Sequence, residues 1–530
     1  MRKIIPNLIP FAWHTFYTLF IIAFAPGIIF IFFRSRIGMS PILLPFITVV
    51  VVLPLMIGAW RIIGRISSSI SEKTHKRILI IFIALSAILQ FVIGNRLRFT
   101  PLWDVEAIFG GAQMWALTGE LDGPGAFGTT FGMHGGASYV FQGSYLRYLA
   151  MKSVQWGGAF LFRWLFWVYN LFGGTDFHIP ALVWNVTMVQ AMVFALYSAA
   201  KRLKGLQAGL YVLFLLCIFL PFHFFGAVYY TDTLSMPFVA IAFSLYLKGR
   251  DEATLRKKLL FFAACGLAAA VGSVLKATAM IVLIAIFIDF LLVKEKKGWA
   301  QRLLCAGALA FGFIIIYGGF YMYMSRRVIG PELTERYRIP RTHWAMLGLQ
   351  GYGHYNTWDF NFTLGFRDLE TRQIETSRLF RERLRGQGVI GMGNLYSAKF
   401  TINFGDGTYE LHRILHLAPV NQTRLHHMVL GHGYNFNAYR HIATGFTTAM
   451  LLLMLVMAIR AFIKPSREHT AVPWLSFFGL ALLLTFWESG GRLTMAYFPM
   501  LVIGAIIGLS VVQPWLTNLF ENISKKELST

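Results

Sequence analysis

The sequence predicts an all-α polytopic membrane protein with about 12 transmembrane helices and two large external loops. Three observations predict this fold class. Of the 530 residues, 56% are hydrophobic and only 14% are charged, whereas soluble domains carry about a quarter charged residues. Apolar runs long enough to cross a bilayer recur along the chain. Clusters of Lys and Arg separate many of these runs, as expected for loops that stay in the cytoplasm.

The candidate spans are apolar runs, because crossing the hydrocarbon core takes about 20 apolar residues. They are 11–33, 42–60, 77–95, 179–200, 206–226, 231–248, 258–275, 277–293, 303–323, 441–463, 472–487 and 493–514. The first run has no small-residue cleavage site, which predicts a retained helix. The stretch 156–172 is apolar and rich in tryptophan, so we predict that it lies at the membrane interface and does not cross.

Charge predicts the orientation. The chain has 48 Lys and Arg against 24 Asp and Glu, a net charge of +24. In a soluble protein this excess would suggest nucleic-acid binding, but here most of it lies in short loops between spans. We therefore predict a multi-pass protein of a bacterial plasma membrane with both termini in the cytoplasm. The lipid bilayer is its expected environment, and no nucleic-acid partner is expected.

The spans and loops divide the chain into four predicted regions. They are two additional N-terminal helices at 1–76, a membrane core at 77–325 that includes the external loop 96–178, a mixed external loop domain at 326–440, and C-terminal helices with a cytoplasmic tail at 441–530. Loops this long usually carry function. Within the second loop, 368–385 predicts a solvated helix, and Lys399 to Tyr409 predicts a strand followed by an Asp-Gly turn.

Four acidic residues are predicted at the outer ends of spans and at nearly the same depth. They are Asp104, Glu106, Asp232 and Glu488. The i, i+2 spacing of the first two sends their carboxylates in different directions. A carboxylate at the interface can act as a general base towards a hydroxyl group, although Asp104 could instead be a helix N-cap. The neighbouring Tyr229-Tyr230 pair is predicted as part of an interfacial aromatic belt.

Two cations, Lys276 and Arg492, map to the same face. Each can pair with a phosphate group, or it can reach lipid head groups or pair with Glu488. Asp104, Glu106 and Asp232 together would also offer oxygen ligands suited to magnesium or manganese. Because the sequence has no close-spaced metal motif, we assign no cofactor, and a divalent cation stays an alternative.

Four segments carry a resemblance to a known family. They are Trp103–Glu106 followed by Ala112–Gly119, Tyr230–Asp232, Leu275–Thr278 and Trp487–Pro499. These segments resemble motifs of the GT-C superfamily of integral-membrane glycosyltransferases, which use polyprenyl phosphate sugars as donors. The arrangement is similar to the group of protein mannosyltransferases and aminoarabinose transferases. The resemblance covers roughly residues 77–515.

The resemblance implies an inverting glycosyltransferase at the outer face of the membrane. It would move a hexose or pentose from a polyprenyl phosphate carrier to a glycan, lipid or protein acceptor of the cell envelope. Asp104 and Glu106 would be the catalytic acids, with Asp104 as the base. Asp232 and Glu488 would support them or bind a metal. Lys276 and Arg492 would hold the donor phosphate.

Two alternatives stay open at this point. One is a lipid or polysaccharide transporter or flippase, which predicts acidic residues near the middle of spans. Asp289 is the only acid in the middle of an apolar run, and it lies nearer the cytoplasmic end of that run. The other is an envelope polysaccharide polymerase or ligase, in which the Arg-rich stretch 367–385 would bind the acceptor.

Overall fold

The structure, a computed structural model, describes residues 5–33, 43–121, 127–131, 139–292, 298–415, 419–464 and 470–527. Within these ranges the chain is almost entirely helical. The first three helices are α1 (Ile5–Phe33), α2 (Leu43–Ser69) and α3 (Glu72–Arg96). The predicted boundary at residue 76 therefore falls inside α3. This helix begins after Ser71, whose side chain accepts a hydrogen bond from the backbone of Thr74.

The first long loop contains short helices and one small hairpin. Its elements are α4 (Trp103–Thr118), β1 (Phe127–Phe131), β2 (Tyr139–Gly143), α5 (Tyr145–Met151) and α6 (Trp156–Leu171). The strands pair antiparallel. Helix α4 ends at Gly119, which adopts the left-handed conformation that favours glycine at this position. Helix α6 packs against α4, and at 16 residues it is short for a span.

The next group of helices follows the predicted apolar runs. It comprises α7 (His178–Ile218), α8 (Leu220–Phe224), α9 (Thr231–Asp251), α10 (Leu255–Leu275), α11 (Met280–Leu292) and α12 (Trp299–Tyr323). Helix α7 is interrupted at Lys204 and Gly205, where the backbone leaves the helical region. The break falls between the predicted runs 179–200 and 206–226.

The second long loop and the C-terminal region are also helical. They contain α13 (Pro331–Tyr337), α14 (Arg341–Gly348), α15 (Thr357–Leu364), α16 (Leu369–Phe404), α17 (Leu411–Leu415), α18 (His426–Val429), α19 (Phe436–Ile463), α20 (Val472–Phe486) and α21 (Phe498–Glu527). A 3₁₀ helix, Gly491–Tyr497, leads into α21. The predicted solvated helix at 368–385 is confirmed as the first part of α16, which is capped by Asp368 and kinked at Gly388.

The strand predicted from Lys399 onward is wrong, because α16 continues to Phe404. Phe400 and Phe404 alternate with polar residues, but they are also four residues apart and therefore share one helix face. Both rings pack against Phe24 of α1, with centroids 5.2 and 5.8 Å away. The apolar pattern of this segment fits both a strand and a helix, and the contact with Phe24 favours the helix.

Eight helices in the described residues are long and apolar enough to cross a membrane. These candidates are Pro10–Phe32, Phe46–Ser69, Glu72–Arg96, His178–Ile218, Leu255–Leu275, Trp299–Val328, Phe436–Ile463 and Gly491–Pro514. Two shorter apolar helices, Ala277–Leu292 and Val472–Phe486, accompany them. Many large apolar side chains on these helices are exposed, as expected for surfaces that face lipid. The prediction of a helical multi-pass membrane protein is confirmed.

Small residues allow the closest helix contacts. A Cβ at Gly266 would clash with the carbonyl group of Leu309, and one at Gly312 would clash with that of Ala263. Helices α10 and α12 therefore pack backbone against backbone, which is typical of membrane helix pairs. Near its C-terminal end, α12 contacts α6, where the ring of Tyr321 packs on Trp156.

Candidate functional site

Asp104, in the first turn of α4, is held by a ring of polar side chains. One carboxylate oxygen accepts a hydrogen bond from Nζ of Lys152 at 2.7 Å. The other lies 3.4 Å from Nε2 of Gln155 and 3.5 Å from the hydroxyl group of Tyr230. The Asp104 side chain keeps 26% of its surface exposed, whereas Lys152 keeps 8%. The carboxylate is therefore fixed in position and still reachable.

The start of α4 differs from the predicted cap. The N-cap residue is Leu102, which makes no side-chain capping bond, so the interpretation of Asp104 as the N-cap is wrong. Trp103, directly before Asp104, has φ of 53°. A bulky residue rarely adopts this left-handed conformation, and such strain is found most often at functional sites. Asp104 and Glu106 both lie in the first turn, where the helix dipole favours negative charge.

Glu106 points away from Asp104, as the i, i+2 spacing predicts. Its carboxylate accepts a hydrogen bond from the hydroxyl group of Tyr145 at 2.6 Å. Burial raises the pKa of Glu106, and the hydrogen bond from Tyr145 opposes this shift. Glu106 therefore links α4 to α5 and does not join the polar ring around Asp104.

Asp232, in the first turn of α9, is the centre of a second group of charges. Its side chain is only 1% exposed. One carboxylate oxygen contacts Nζ of Lys276, and the other lies 3.7 Å from the guanidinium group of Arg492. Both predicted cations thus converge on one buried carboxylate. We call Asp232, Lys276 and Arg492 the buried ion cluster.

Tyr230 connects the two groups. Its hydroxyl group accepts a hydrogen bond from Gln155 at 3.0 Å, on the side of Asp104. Its ring centroid lies 5.7 Å from the guanidinium carbon of Arg492, on the side of the buried ion cluster. Burial raises the pKa of Tyr230, Asp104 adds to this shift, and Arg492 opposes it. Tyr229 and Tyr230 are both buried, so their assignment to an exposed aromatic belt is wrong.

The segment after α20 brings Arg492 and Glu488 to the site, and α16 positions this segment. Lys399, which is fully buried, donates hydrogen bonds to the carbonyl groups of Gly348, Thr485 and Trp487. Burial lowers the pKa of Lys399 to about 7, a shift that the Glu488 carboxylate opposes.

One helical turn further along α16, the side-chain oxygen of Asn403 accepts a hydrogen bond from the backbone of Gly490 at 2.8 Å. Together Lys399 and Asn403 fix the Trp487–Arg492 segment against α16. The stretch that predicted a strand thus has a positioning role.

Four residues of this arrangement carry no assigned role in the sequence. They are Lys152, Gln155, Lys399 and Asn403. Lys152 offers one usable signal, because it stands as a lone cation directly before the tryptophan-rich stretch 156–172. Its pKa is raised above the ordinary value, because the attraction of Asp104 outweighs the lowering effect of burial.

The alternative of a metal site is not favoured by the geometry. Among the described residues, no group of three or more His, Cys, Asp or Glu side chains is arranged to hold a metal ion. Glu106 is bonded to Tyr145, and Asp232 is engaged by two cations. Asp104, Glu106 and Asp232 therefore do not form a joint set of oxygen ligands.

A cleft with a volume of about 110 Å³ opens next to the polar ring around Asp104. Lys152, the partner of Asp104, lies in its wall. The other wall residues come from the end of α5, from α6, α10 and α12, from the stretch 338–344 and from Trp487 after α20. They include Trp156, Tyr317, Tyr321, Arg338, Arg341 and Trp344.

The fold and this site define the class of the protein, a helical multi-pass membrane protein whose charged residues meet at the ends of its helices. Residues 174–512 match a family described as conserved hypothetical integral membrane proteins. The match spans more than half of the chain, so the protein belongs to this family. It includes the buried ion cluster and begins after Asp104 and Lys152. No curated protein shows a significant match to the chain.

Proposed function

We propose that this protein is a membrane glycosyltransferase that moves a sugar from a polyprenyl phosphate carrier to a hydroxyl group of a glycan, lipid or protein acceptor. The observation that carries the proposal is the environment of Asp104. Its carboxylate is reachable, is fixed by Lys152, and lies next to a cleft and a cluster of cations. The resemblance of the surrounding segments to the GT-C superfamily supports the same reaction and suggests the GT-C-like layout.

The chemistry requires a base on one side of the sugar and positive charge on the other. The acceptor oxygen attacks the sugar C1 atom while the bond from C1 to the phosphate oxygen breaks. Asp104 takes the proton of the acceptor hydroxyl group. The polyprenyl phosphate leaves with the bonding electrons, and the single displacement inverts C1. Arg492, whose side chain is 25% exposed, meets the developing negative charge, with Lys276 behind it.

We propose twelve crossings with both termini in the cytoplasm of a bacterium. The eight candidate spans, the two shorter apolar helices, α9 and the separate halves of α7 supply that number. Single cysteines test this topology in a background in which Cys217, Cys265 and Cys305 are replaced by alanine. Arg202→Cys and Arg385→Cys should react with a membrane-impermeant thiol reagent from opposite sides. Labelling from the same side would contradict the topology.

The test of function is sugar transfer by the purified protein in lipid nanodiscs with a panel of polyprenyl phosphate sugars. We expect Asp104→Asn to lose about 10²- to 10⁴-fold in transfer rate, the usual contribution of a general base. Glu120→Gln is the matched control, since Glu120 is an exposed acid just beyond the other end of α4. Full transfer by Asp104→Asn would refute the assignment of the base.

The geometry does not favour transport. Asp289, the acid inside α11, accepts hydrogen bonds from Tyr246 at 2.6 Å, from Thr470 at 2.9 Å and from the backbone of Ala471 at 2.7 Å. A carboxylate with three donors is occupied by its own fold. Asp289 thus has a structural explanation and gives no support to a binding site for a transported substrate.

A further inference from the structure

A second cavity lies in the second long loop, and its wall is uncharged. It has a volume of about 480 Å³, within the range of about 300–1,000 Å³ that is usual for small-molecule sites. The wall comes from the segment after α14 and from α16 on either side of its kink at Gly388, and it includes Leu349, Gly351, Tyr352, Gln387, Gly391 and Asn394. Among the described residues, none that lines this cavity carries a charge. We call it the amide cavity.

Two amide side chains supply hydrogen-bonding groups to this cavity. Gln387 is held in place, because its Nε2 atom donates a hydrogen bond to the carbonyl group of Leu349 at 3.2 Å. Its Oε1 atom lies so close to Gly391 that a Cβ at this glycine would come within 2.7 Å of it. Asn394 adds a second amide, three residues further along α16. An amide both donates and accepts hydrogen bonds, as a hydroxyl group does, so this pair suits a neutral ligand rich in hydroxyl groups.

Tyr352 gives the amide cavity an aromatic wall. Its backbone has φ of 63°, and the glycines on either side, Gly351 and Gly353, also have positive φ, at 51° and 78°. A bulky residue rarely adopts this conformation, and such strain is found at ligand clamps as well as at other functional sites. The turn leaves Tyr352 43% exposed. Its ring therefore offers the cavity a flat apolar surface that no other part of the wall provides.

Helix α14 connects the amide cavity to the cleft near Asp104. Trp344 lines the cleft, and Leu349, directly after the last residue of the helix, lines the amide cavity. The five residues between these positions correspond to about 8 Å along a helix axis. The backbone of Ser489 also donates a hydrogen bond to the carbonyl group of Gly353 at 2.8 Å, which fixes the cavity wall to the segment after α20. A short chain of sugar units is long enough to reach from the cavity to the cleft.

We propose that the amide cavity binds a neutral oligosaccharide and that the acceptor of the reaction is a glycan, an assignment that rests on the proposed function. A sugar ring has an apolar face of C–H groups and an edge of hydroxyl groups, which match the Tyr352 ring and the two amides. The uncharged wall gives no binding group for a phosphate or an acidic sugar. The wall belongs to the second loop and contains no part of a candidate span, so it does not favour a lipid acceptor.

Binding can be measured without transfer. The protein is placed in nanodiscs free of glycolipid and maltoside detergent, because both carry saccharides that would compete. It is titrated by calorimetry with maltotriose, cellotriose, mannotriose and a trimer of N-acetylglucosamine. We expect saturable binding within this panel and at least tenfold weaker binding of trigalacturonic acid, because the wall has no cation. Saturation by none of the neutral trimers, or equal binding of the peptide Gly-Ser-Asn-Gly, would overturn the proposal.

Two variants test the wall. Gly391→Ala places a methyl group against the Gln387 amide and should weaken binding about tenfold, while alanine favours the helix and keeps the fold. Gly393→Ala is the matched control, because a Cβ at this glycine of the same helix would meet no atom within 4 Å. Tyr352→Asn removes the ring and should weaken binding ten- to a hundredfold, since asparagine tolerates positive φ. Unchanged affinity in Gly391→Ala and Tyr352→Asn would refute the site.

The outcome is separable from that of the proposed function. Asp104→Asn should bind the trisaccharide with the wild-type affinity, because Asp104 lies outside the wall of the amide cavity. If the protein binds the trisaccharide through this wall but transfers no sugar, the proposed function fails and the saccharide site stands. If it transfers sugar while Gly391→Ala and Tyr352→Asn keep the wild-type KM for the acceptor, the proposed function stands and the saccharide site fails.

Discussion

Asp104 and Asp232 are two carboxylates that begin two helices and lie on either side of Tyr230, yet their surroundings differ. Asp232 is 1% exposed and faces two cations. Asp104 is 26% exposed and faces one cation and two neutral groups. A buried and compensated carboxylate is costly to alter and has little freedom to react. A reachable carboxylate with only one charged partner among the described residues can accept a proton. The difference separates a structural charge from a candidate catalytic one.

The largest expected effect on stability comes from the buried member of the pair. Asp232→Asn leaves Lys276 and Arg492 without their shared carboxylate, and breaking a buried ion pair costs about 3–5 kcal/mol. Asp104→Asn should cost about 1 kcal/mol, because its site is partly exposed and the amide still accepts a hydrogen bond. Thermal unfolding in detergent, followed by tryptophan fluorescence, measures both changes. Equal losses of stability in the two variants would contradict the distinction between a structural Asp232 and a catalytic Asp104.

A double variant shows why Asp232→Asn loses stability. If uncompensated charge destabilises Asp232→Asn, then adding Lys276→Met should restore part of the lost stability, because one buried cation is removed with the carboxylate. If the loss comes from altered packing of α9, the second substitution should add a further loss. The sign of the interaction between the two substitutions decides between these causes.

The sequence predicts those features of the two carboxylates and their cations that depend on position along a helix. Asp104, Asp232, Lys276 and Arg492 lie at the ends of apolar runs, so one common depth follows from the span pattern. Contacts over long sequence distances do not follow. Lys152 and Asp104 are 48 residues apart, and Lys399 reaches a carbonyl group 88 residues away. Such pairs depend on how loops fold back, which apolar periodicity does not encode.

Local pattern also leaves some choices undecided. Phe400 and Phe404 fit both a strand and a helix, and the packing of their rings against Phe24 selects the helix. Tyr230 fits an aromatic belt by composition. Its burial between Gln155 and Arg492 arises only when α6, α9 and the segment after α20 meet.

Lys152 is the charged partner that fixes the Asp104 carboxylate in position. Lys152→Met removes the only cation bonded to Asp104 among the described residues, and it leaves that carboxylate without its charged partner. We expect a stability loss of about 2 kcal/mol and slower transfer, because Asp104 is no longer fixed. Lys152→Arg should recover most of both, since it retains the charge. Full activity in Lys152→Met would show that Asp104 needs no fixed partner.

The stability of the protein should also fall at acidic pH, because His343 lies close enough to Lys152 to feel its charge. Burial lowers the pKa of His343 to about 4, an effect that Asp359 opposes and Lys152 supports. In the unfolded chain its pKa is about 6.5. Between these values the unfolded chain binds a proton that the folded protein does not, so stability falls as pH is lowered. We expect a loss of about 1–2 kcal/mol from pH 7 to pH 5.

His343→Gln removes this titration and should flatten the dependence of unfolding temperature on pH in the same interval. The glutamine side chain can still form a hydrogen bond with the hydroxyl group of Thr363, which lies 2.7 Å from Nδ1 of His343. His427→Gln is the control, since His427 lies in α18, outside this group of contacts. A slope that stays the same in His343→Gln would assign the acid sensitivity to another group.

The smallest effect is expected at Glu106, and it is the sharpest test of which acid of the first helix turn reacts. In Glu106→Gln the amide oxygen still accepts the hydrogen bond from Tyr145, so only the charge assistance is lost. We expect a stability change of about 0.5–1 kcal/mol and less than a threefold change in transfer rate. Tyr145→Phe, which removes the same bond from the other side, should give a similar small effect. If Glu106→Gln instead loses as much transfer as Asp104→Asn, the two acids act as a unit and the reachable carboxylate alone does not explain the chemistry.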